Sequence, residues 1–136
     1  MSTHAFERHT REVRVRLVGE SFDQLFLEGA RAIAELAGKP SSDPPGPWEH
    51  VTVEAQDRSG LLVVWLNELI ERSDVGRLIY PDAEIEEMTA NRLAARIRGV
   101  PIGEPGTPLG VATSHELELA PVGETISATI TVETRE

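Results

Sequence analysis

Residues 12–40, EVRVRLVGESFDQLFLEGARAIAELAGKP, contain the change of periodicity that decides the fold class. At the start of this stretch apolar residues alternate with charged ones, a pattern typical of a strand with one buried face. From Ser21 onward the apolar residues recur three and four positions apart, which predicts a helix. Ser21 followed by Gln24 matches a capping box at the start of that helix, and Gly38 and Pro40 end it.

The remainder of the chain predicts one further helix and several more strands. Residues 57–76, DRSGLLVVWLNELIERSDVG, repeat the helical spacing, with a start at Asp57 or Ser59 and an end at Gly76. Residues 89–91 predict a tight turn, and residues 100–110 a mobile surface loop. Alternating stretches predict strands at 50–55, at 77–89 with a bend near Pro81, at 91–99, at 110–119 and at 124–133.

These elements predict one α+β domain over residues 1–136. Two helices occur among about seven predicted strands. We therefore expect a mostly antiparallel sheet with both helices packed on one face.

The composition excludes several classes of site. The 136 residues include no cysteine, so the chain has no disulfide, thiolate metal cluster or cysteine nucleophile. The four histidines are too far apart in sequence to indicate a zinc site. The sequence has no phosphate-binding loop, dinucleotide fingerprint or Ser-His-Asp order. The amino-terminal residues lack the basic and apolar blocks of a signal peptide, which predicts a cytoplasmic protein with no membrane contact.

The net charge of −10 argues against direct nucleic-acid binding and favours a basic protein as partner. Arginines are nevertheless concentrated on two predicted strands. Arg14 and Arg16 alternate along the first, and Arg92, Arg96 and Arg98 lie on a later one. We expect these arginines to pair with the many surface acids, and the alternative is a local basic face.

Two glutamates are predicted to meet where the first and last predicted strands come together. Glu12 and Glu133 alternate with apolar residues that face inward, so both carboxylates lie on polar faces. If the strands are antiparallel neighbours, the start of one lies beside the end of the other. Facing like charges need a cation between them. That cation is either a divalent ion or a guanidinium group of Arg11, Arg14 or Arg135, and the sequence favours the guanidinium.

Three sequence blocks resemble those of the archease family. HTREV at 9–13 resembles the family's His-Thr-Ala-Asp-Val signature, and GLLVVWLNELIERSDVGRLIY at 60–80 resembles its Leu-Leu-x-x-Trp-Leu-x-Glu-Leu helix and the following strand. VATSH at 111–115 is similar to its Ala-Val-Thr-Tyr-His block. The resemblance implies an archease-like fold and a non-enzymatic protein that promotes guanylylation and turnover of a GTP-dependent tRNA-splicing RNA ligase. It also implies chaperone-like effects on a tRNA methyltransferase, which is a tRNA-modifying enzyme.

The resemblance further implies a divalent-metal site. The family's two metal-binding aspartates fall on Glu12 and Glu133, so we expect calcium to bind weakly at best. The family's functional lysine falls on Gly110 and its tyrosine on Ser114, while Arg11 replaces a small alanine. The metal site is therefore predicted to differ in geometry from that of the family.

Four residues near these positions are further candidates. His9 and Thr10 either brace the first predicted strand or contribute to the site, and Arg11 is a possible replacement for the missing lysine. His115 shares its parity with apolar residues of its strand, which favours a hydrogen-bonded core histidine over a ligand. No catalytic residue is predicted.

Three functions are compatible with these observations. The first is an archease-like accessory protein of an RNA ligase that acts through the acidic site. The second is a divergent archease-fold module that binds another protein, with the metal site replaced by an Arg-Glu network. The third is a hydrolase that uses Glu12 and Glu133 as acid and base, which is the least favoured because nothing in the sequence indicates a cleft.

Overall fold

The computed structural model describes residues 2–113, 120–122 and 124–135, with the backbone alone at 120–122. Two helices and nine strands lie in these ranges, and the α+β class is confirmed. In chain order the elements are β1 (Thr3–His9), β2 (Glu12–Gly19), α1 (Phe22–Ala37), β3 (Gly38–Pro40), β4 (Trp48–Glu54), α2 (Arg58–Gly76), β5 (Leu78–Met88), β6 (Arg92–Pro105), β7 (Leu109–Thr113), β8 (Ala120–Val122) and β9 (Thr125–Thr134).

The described strands form two antiparallel sheets. The first has the order β1-β2-β9-β7, and β8 also pairs with β9. The second has the order β3-β6-β4, and β5 pairs with β6. The long strand β6 holds the second sheet together, because it pairs with β4 along its first half and with β3 at its end. The predicted turn at 89–91 is confirmed, and it joins β5 and β6 into a hairpin.

One apolar core lies between the helices and both sheets. Each helix contacts strands of both sheets, which explains why the two sheets share a single buried cluster. Trp65 of α2 is 0% exposed, and its Nε1 donates a hydrogen bond of 2.9 Å to the carbonyl of Phe26 in α1. Each large apolar side chain buried in this way contributes roughly 1.5–3 kcal/mol to folding. The inward residues of the two central strands of the first sheet belong to this core: Val13, Val15, Leu17, Ala128, Ile130 and Val132.

The helix ends follow the predicted capping residues. The Ser21 hydroxyl accepts a hydrogen bond from the backbone N–H of Gln24 at 3.2 Å. Asp57 caps α2 by accepting from the N–H of Gly60 at 2.7 Å. Helix α2 ends at Gly76, and the next residue, Arg77, takes the left-handed conformation with φ 53°. Within the described residues, no helix is long and apolar enough to cross a membrane.

An amino-terminal strand, β1, precedes the first strand that the sequence predicts. Its burial alternates only in its first half, where His4 and Phe6 are half-buried, and none of its residues is fully buried. β1 nevertheless pairs with β2 over seven residues, because a turn of two residues, Thr10 and Arg11, joins them into a hairpin. The first sheet therefore has one more edge strand than the periodicity indicates.

The prediction of a mobile surface loop at 100–110 is wrong for most of that range. Strand β6 continues to Pro105, and Gly38 of β3 lies opposite Pro105. The carbonyl of Pro101 accepts a hydrogen bond from the N–H of Ser41 at 2.9 Å. These partners supply long-range backbone pairing, which overrides the local preference of Pro and Gly for a loop.

Candidate functional site

Glu12 and Glu133 lie directly opposite each other in the antiparallel pair of β2 and β9. The predicted pairing of these two strands is confirmed. The neighbouring residues Val13 and Val132 are 1% and 0% exposed, so the glutamates lie on the opposite, outer face of the sheet. Directly opposed side chains in an antiparallel pair have Cβ atoms about 4.5–5.5 Å apart. The two carboxylates are therefore within reach of one cation.

The hairpin between β1 and β2 brings three more predicted residues to this position. His9 lies opposite Glu12 in the β1–β2 register, so His9, Glu12 and Glu133 form one row across three strands. Thr10 and Arg11 form the turn at the end of the row. The carbonyl of Arg11 accepts a hydrogen bond from the N–H of Thr134 at 3.0 Å, which ties the turn to β9. We call His9, Glu12 and Glu133 the acid row.

Gly110 of β7 lies beside Glu133. A Cβ atom placed on Gly110 would lie 3.3 Å from the Cβ of Glu133 and 3.6 Å from Cγ of Arg135. A side chain at this position would therefore extend next to the acid row. The lysine that the resemblance implies here would have stood against Glu133, and glycine leaves that space open.

The guanidinium group of Arg135 does not neutralise the acid row. Its Nη2 lies 2.7 Å from Oδ1 of Asp74 in α2, and its Nε donates to the carbonyl of Leu109 at 2.9 Å. Across residues 2–113 and 124–135, neither Glu12 nor Glu133 forms an ion pair with Arg11 or Arg14. The Arg-Glu network that the sequence favours is therefore not found in the described residues.

The described residues supply no third His, Cys, Asp or Glu ligand beside the pair. They contain no group of three or more His, Cys, Asp or Glu side chains placed to hold one metal ion. Calcium takes six to eight oxygen ligands, so two carboxylates fill only part of its coordination shell. The predicted candidates His115 and Ser114 lie outside the described residues.

A groove lies between α2 and the segment that joins β6 to β7, next to Leu109 of β7. It has a volume of about 450 Å³, and the ion pair of Asp74 and Arg135 lies in its wall. Asn67, also on α2, holds β7 from the same side: its Nδ2 donates to the carbonyl of Ala112 at 3.0 Å, and its Oδ1 accepts from the N–H of Ala112 at 2.7 Å. Sequence reasoning missed both Asn67 and Asp74. Asn67 gave one signal, a polar residue among apolar helix positions, whereas Asp74 lies among polar residues and gave none.

A second cluster that the sequence did not indicate ties β1 to α1. The two ring nitrogens of His4 contact the carboxylates of Glu28 and Glu35, and Glu28 is 5% exposed. Nη1 of Arg31 lies 3.1 Å from the same carboxylate of Glu28. Burial disfavours the charged ring, but the hydrogen bonds to Glu28 and Glu35 raise the pKa of His4 overall. Burial also opposes the charge of Glu28, and the hydrogen bonds from His4, Ser2 and Arg31 lower the pKa of Glu28.

Sequence comparison matches the chain to one protein family. The profile of the Archease protein family (MTH1598/TM1083) matches residues 4–133. The protein named archease from Methanopyrus kandleri is 30% identical over 102 residues, which cover 74% of this chain and 71% of that protein. The archease of Pyrobaculum neutrophilum is 27% identical over 131 residues, which cover 89% of this chain and 88% of that protein.

Structure comparison gives the same fold. The solution structure of protein 1598 from Methanobacterium thermoautotrophicum matches with a TM-score of 0.77 and 21% identity, over 96% of this chain and 97% of that chain. The crystal structure of an archease, described as a possible chaperone, from Thermotoga maritima matches with a TM-score of 0.68 and 16% identity, over 94% of both chains. Because the sequence identities are only 21% and 16%, these two structures are evidence for the fold of this chain and not for its function.

Proposed function

This chain belongs to the archease family, and from that membership we propose that it is a non-enzymatic accessory protein of a GTP-dependent tRNA-splicing RNA ligase. In this role it promotes guanylylation and turnover of the ligase. A tRNA-modifying enzyme is a second partner on the same proposal. The net charge of −10 supports a basic protein partner, because opposite charges speed encounter and select the partner.

The observation that carries this proposal is the acid row. Glu12 and Glu133 are brought into direct opposition by the register of β2 and β9, although like charges at such positions destabilise a sheet. No arginine of the described residues pairs with either of them. Because this pair has no cationic partner among the described residues and does not stabilise the sheet, we attribute it to the binding of a ligand or partner.

The pair fits a weakly bound divalent cation. The carboxylates of Glu12 and Glu133 would hold the ion, and water or a group of the partner would complete its shell. When bound, the ion supplies positive charge at the outer face of the sheet and open positions for oxygen ligands. Glutamates in place of the family's two aspartates support weak binding, because each carboxylate lies one methylene further from the backbone.

The second candidate is a protein-binding, chaperone-like module in which the metal site has decayed. The observation that favours it is Gly110, which leaves empty the position beside Glu133 where a lysine is implied. On this alternative, binding depends on the surface around the acid row but not on calcium.

The test measures guanylylation of the host's RNA ligase with labelled GTP, with and without this protein. We expect Glu12→Gln combined with Glu133→Gln to remove the stimulation while leaving the fold intact. Glu104→Gln is the matched control, because Glu104 is a strand glutamate outside the acid row that lies 3.8 Å from Lys39. Full stimulation by the double variant would refute a role for the acid row.

A pull-down from purified components separates the two candidates. Both predict that the ligase is captured and that rising salt weakens the capture. Only the first predicts that chelation of divalent cations lowers the stimulation. If the ligase is neither captured nor stimulated, while bare RNA binds tightly, the proposed function is wrong.

A further inference from the structure

The arginines of the second sheet are neutralised, as the sequence predicts. In β6, Arg96 and Arg98 donate to Glu84 and Asp82 of β5 at 2.8 Å and 3.0 Å. Both guanidinium groups also lie over the ring of Trp48, at 4.6 Å and 4.7 Å from its centroid. These arginines are therefore engaged by acids and by an aromatic ring.

The arginines of β2 are arranged differently. Arg14 and Arg16 are exposed, and neither forms an ion pair or hydrogen bond within the described ranges of the chain. Arg16 lies opposite Ala5 on one side and Thr129 on the other, so no acid lies directly opposite it in either strand pair. Glu7 lies opposite Arg14, but its Oε1 is 3.1 Å from Nε2 of His9. The expected pairing with surface acids is thus not found for β2 within the described residues.

Arg14 and Arg16 lie on the same outer face as the acid row. They are two and four residues beyond Glu12, which places them about 7 and 13 Å along the strand. A concavity of about 230 Å³ lies between β1 and β2, lined by Ala5, Phe6, Glu7, Arg14, Arg16 and Thr129. We call Arg14, Arg16 and Thr129 the arginine face.

We propose that the arginine face binds the phosphodiester backbone of single-stranded RNA. Guanidinium groups and hydroxyls are the donors that contact phosphate oxygens, and the planar fork of arginine suits a phosphate. Two guanidinium groups that have no acid partner among the described residues lie in a line along one strand, which suits a linear polyanion with repeated charges. The inference goes beyond the proposed function and stands without it, because it requires RNA but no ligase.

The acidic body of the protein makes this contact weak. The net charge of −10 repels RNA at long range, and Glu7 places one carboxylate in the same concavity. The expectation of no direct nucleic-acid binding rests on that net charge. The arginine face is a local exception, detectable at low ionic strength, where phosphate contacts are strongest.

The test is fluorescence anisotropy with a labelled oligouridylate over a range of salt concentrations. Each phosphate contact on a single strand contributes a slope of about −0.7 to the plot of log K against log salt. The loss of two contacts in Arg14→Gln with Arg16→Gln should make the slope shallower by about 1.4. Between about 50 and 200 mM salt, wild-type affinity should then fall about sevenfold more than that of the variant.

Two further variants sharpen the test. Arg96→Gln with Arg98→Gln removes the same charge from the second sheet, and we expect it to leave the salt slope unchanged. Glu7→Gln should raise RNA affinity, because it removes the carboxylate from the concavity. If circular dichroism shows that the β2 double variant does not fold, the RNA affinity of Glu7→Gln decides whether the arginine face binds RNA.

Four results would overturn the proposal. The first is that the wild-type protein binds no RNA at about 50 mM salt, and the second is that the β2 double variant keeps the wild-type salt slope. The third is that the β6 double variant loses as much salt slope as the β2 double variant. The fourth is that Glu7→Gln does not raise RNA affinity. Arginine-dependent binding of oligoglutamate in place of RNA would likewise overturn it and identify an acidic peptide as the ligand.

Discussion

Replacement of Glu133 by Gln tests whether the carboxylates of Glu12 and Glu133 repel each other and whether a bound cation relieves that repulsion. Glu12 and Glu133 are directly opposed, so their Cβ atoms are roughly 5 Å apart, and parallel side chains would hold the two charges at a similar separation. Two like charges at about 5 Å in water repel by about 0.8 kcal/mol, and salt screening lowers this value. Without divalent cations, Glu133→Gln should therefore raise the free energy of unfolding by a few tenths of a kcal/mol, up to about 0.8 kcal/mol.

Calcium should reverse which protein is more stable, so that the wild-type protein becomes more stable than Glu133→Gln. An ion that binds only the folded state stabilises it by about 2.7 kcal/mol at a hundredfold excess over Kd. The wild-type protein should gain this stability at high calcium, and Glu133→Gln should gain almost none. Because the site has only two carboxylates, we expect the gain to need millimolar rather than micromolar calcium.

The assay is urea denaturation followed by tryptophan fluorescence, since Trp65 is buried in the core. Curves are recorded at low salt with a chelator and again with calcium. Glu104→Gln is the control, because it removes an attractive contact with Lys39 and so should not stabilise the protein. A loss of stability in Glu133→Gln without calcium would refute the repulsion. A strong wild-type response at micromolar calcium would show that the site is more complete than two carboxylates.

Two predictions follow from the pKa shifts. The pKa of His4 is raised above 6.5, so its contribution to stability is complete below about pH 6.5 and is lost as pH rises through the raised value. The advantage of wild type over His4→Gln in urea denaturation should therefore shrink as pH rises above about 6.5. A constant difference would contradict the contact with Glu28. Burial, with the charge and hydrogen bond of Glu49, raises the pKa of Tyr80 to about 12. Because Tyr80 is the only tyrosine, an ultraviolet absorbance titration should show one phenol ionising near that value, and a midpoint near 10 would mean that the ring is exposed.

The parts of the fold that local periodicity determines could be predicted. Strand β2 and both helices each show their buried side in their own residues, and the capping side chains of Ser21 and Asp57 mark where the helices begin. The opposition of Glu12 and Glu133 also follows from sequence, because two antiparallel terminal strands and a count of parity are enough to place them.

The parts that depend on distant contacts could not be predicted. His4 meets Glu28 and Glu35, which are 24 and 31 positions away, and this contact rather than alternation holds β1 against α1. Arg135 is drawn to Asp74, 61 positions away, and so is not available to the acid row. Each of these partners is one of many acids in the chain, and no local pattern selects it.

The contact between Asn67 and Ala112 has a consequence for how another molecule can join the first sheet. A foreign strand that extends a sheet by β-augmentation needs the outward N–H and C=O groups of the edge strand. At Ala112, which is 2% exposed, a side chain of α2 already holds both groups. Addition at β7 would have to displace that amide, so β1 is the more accessible edge, and a strand added there would run past His9 at the end of the acid row.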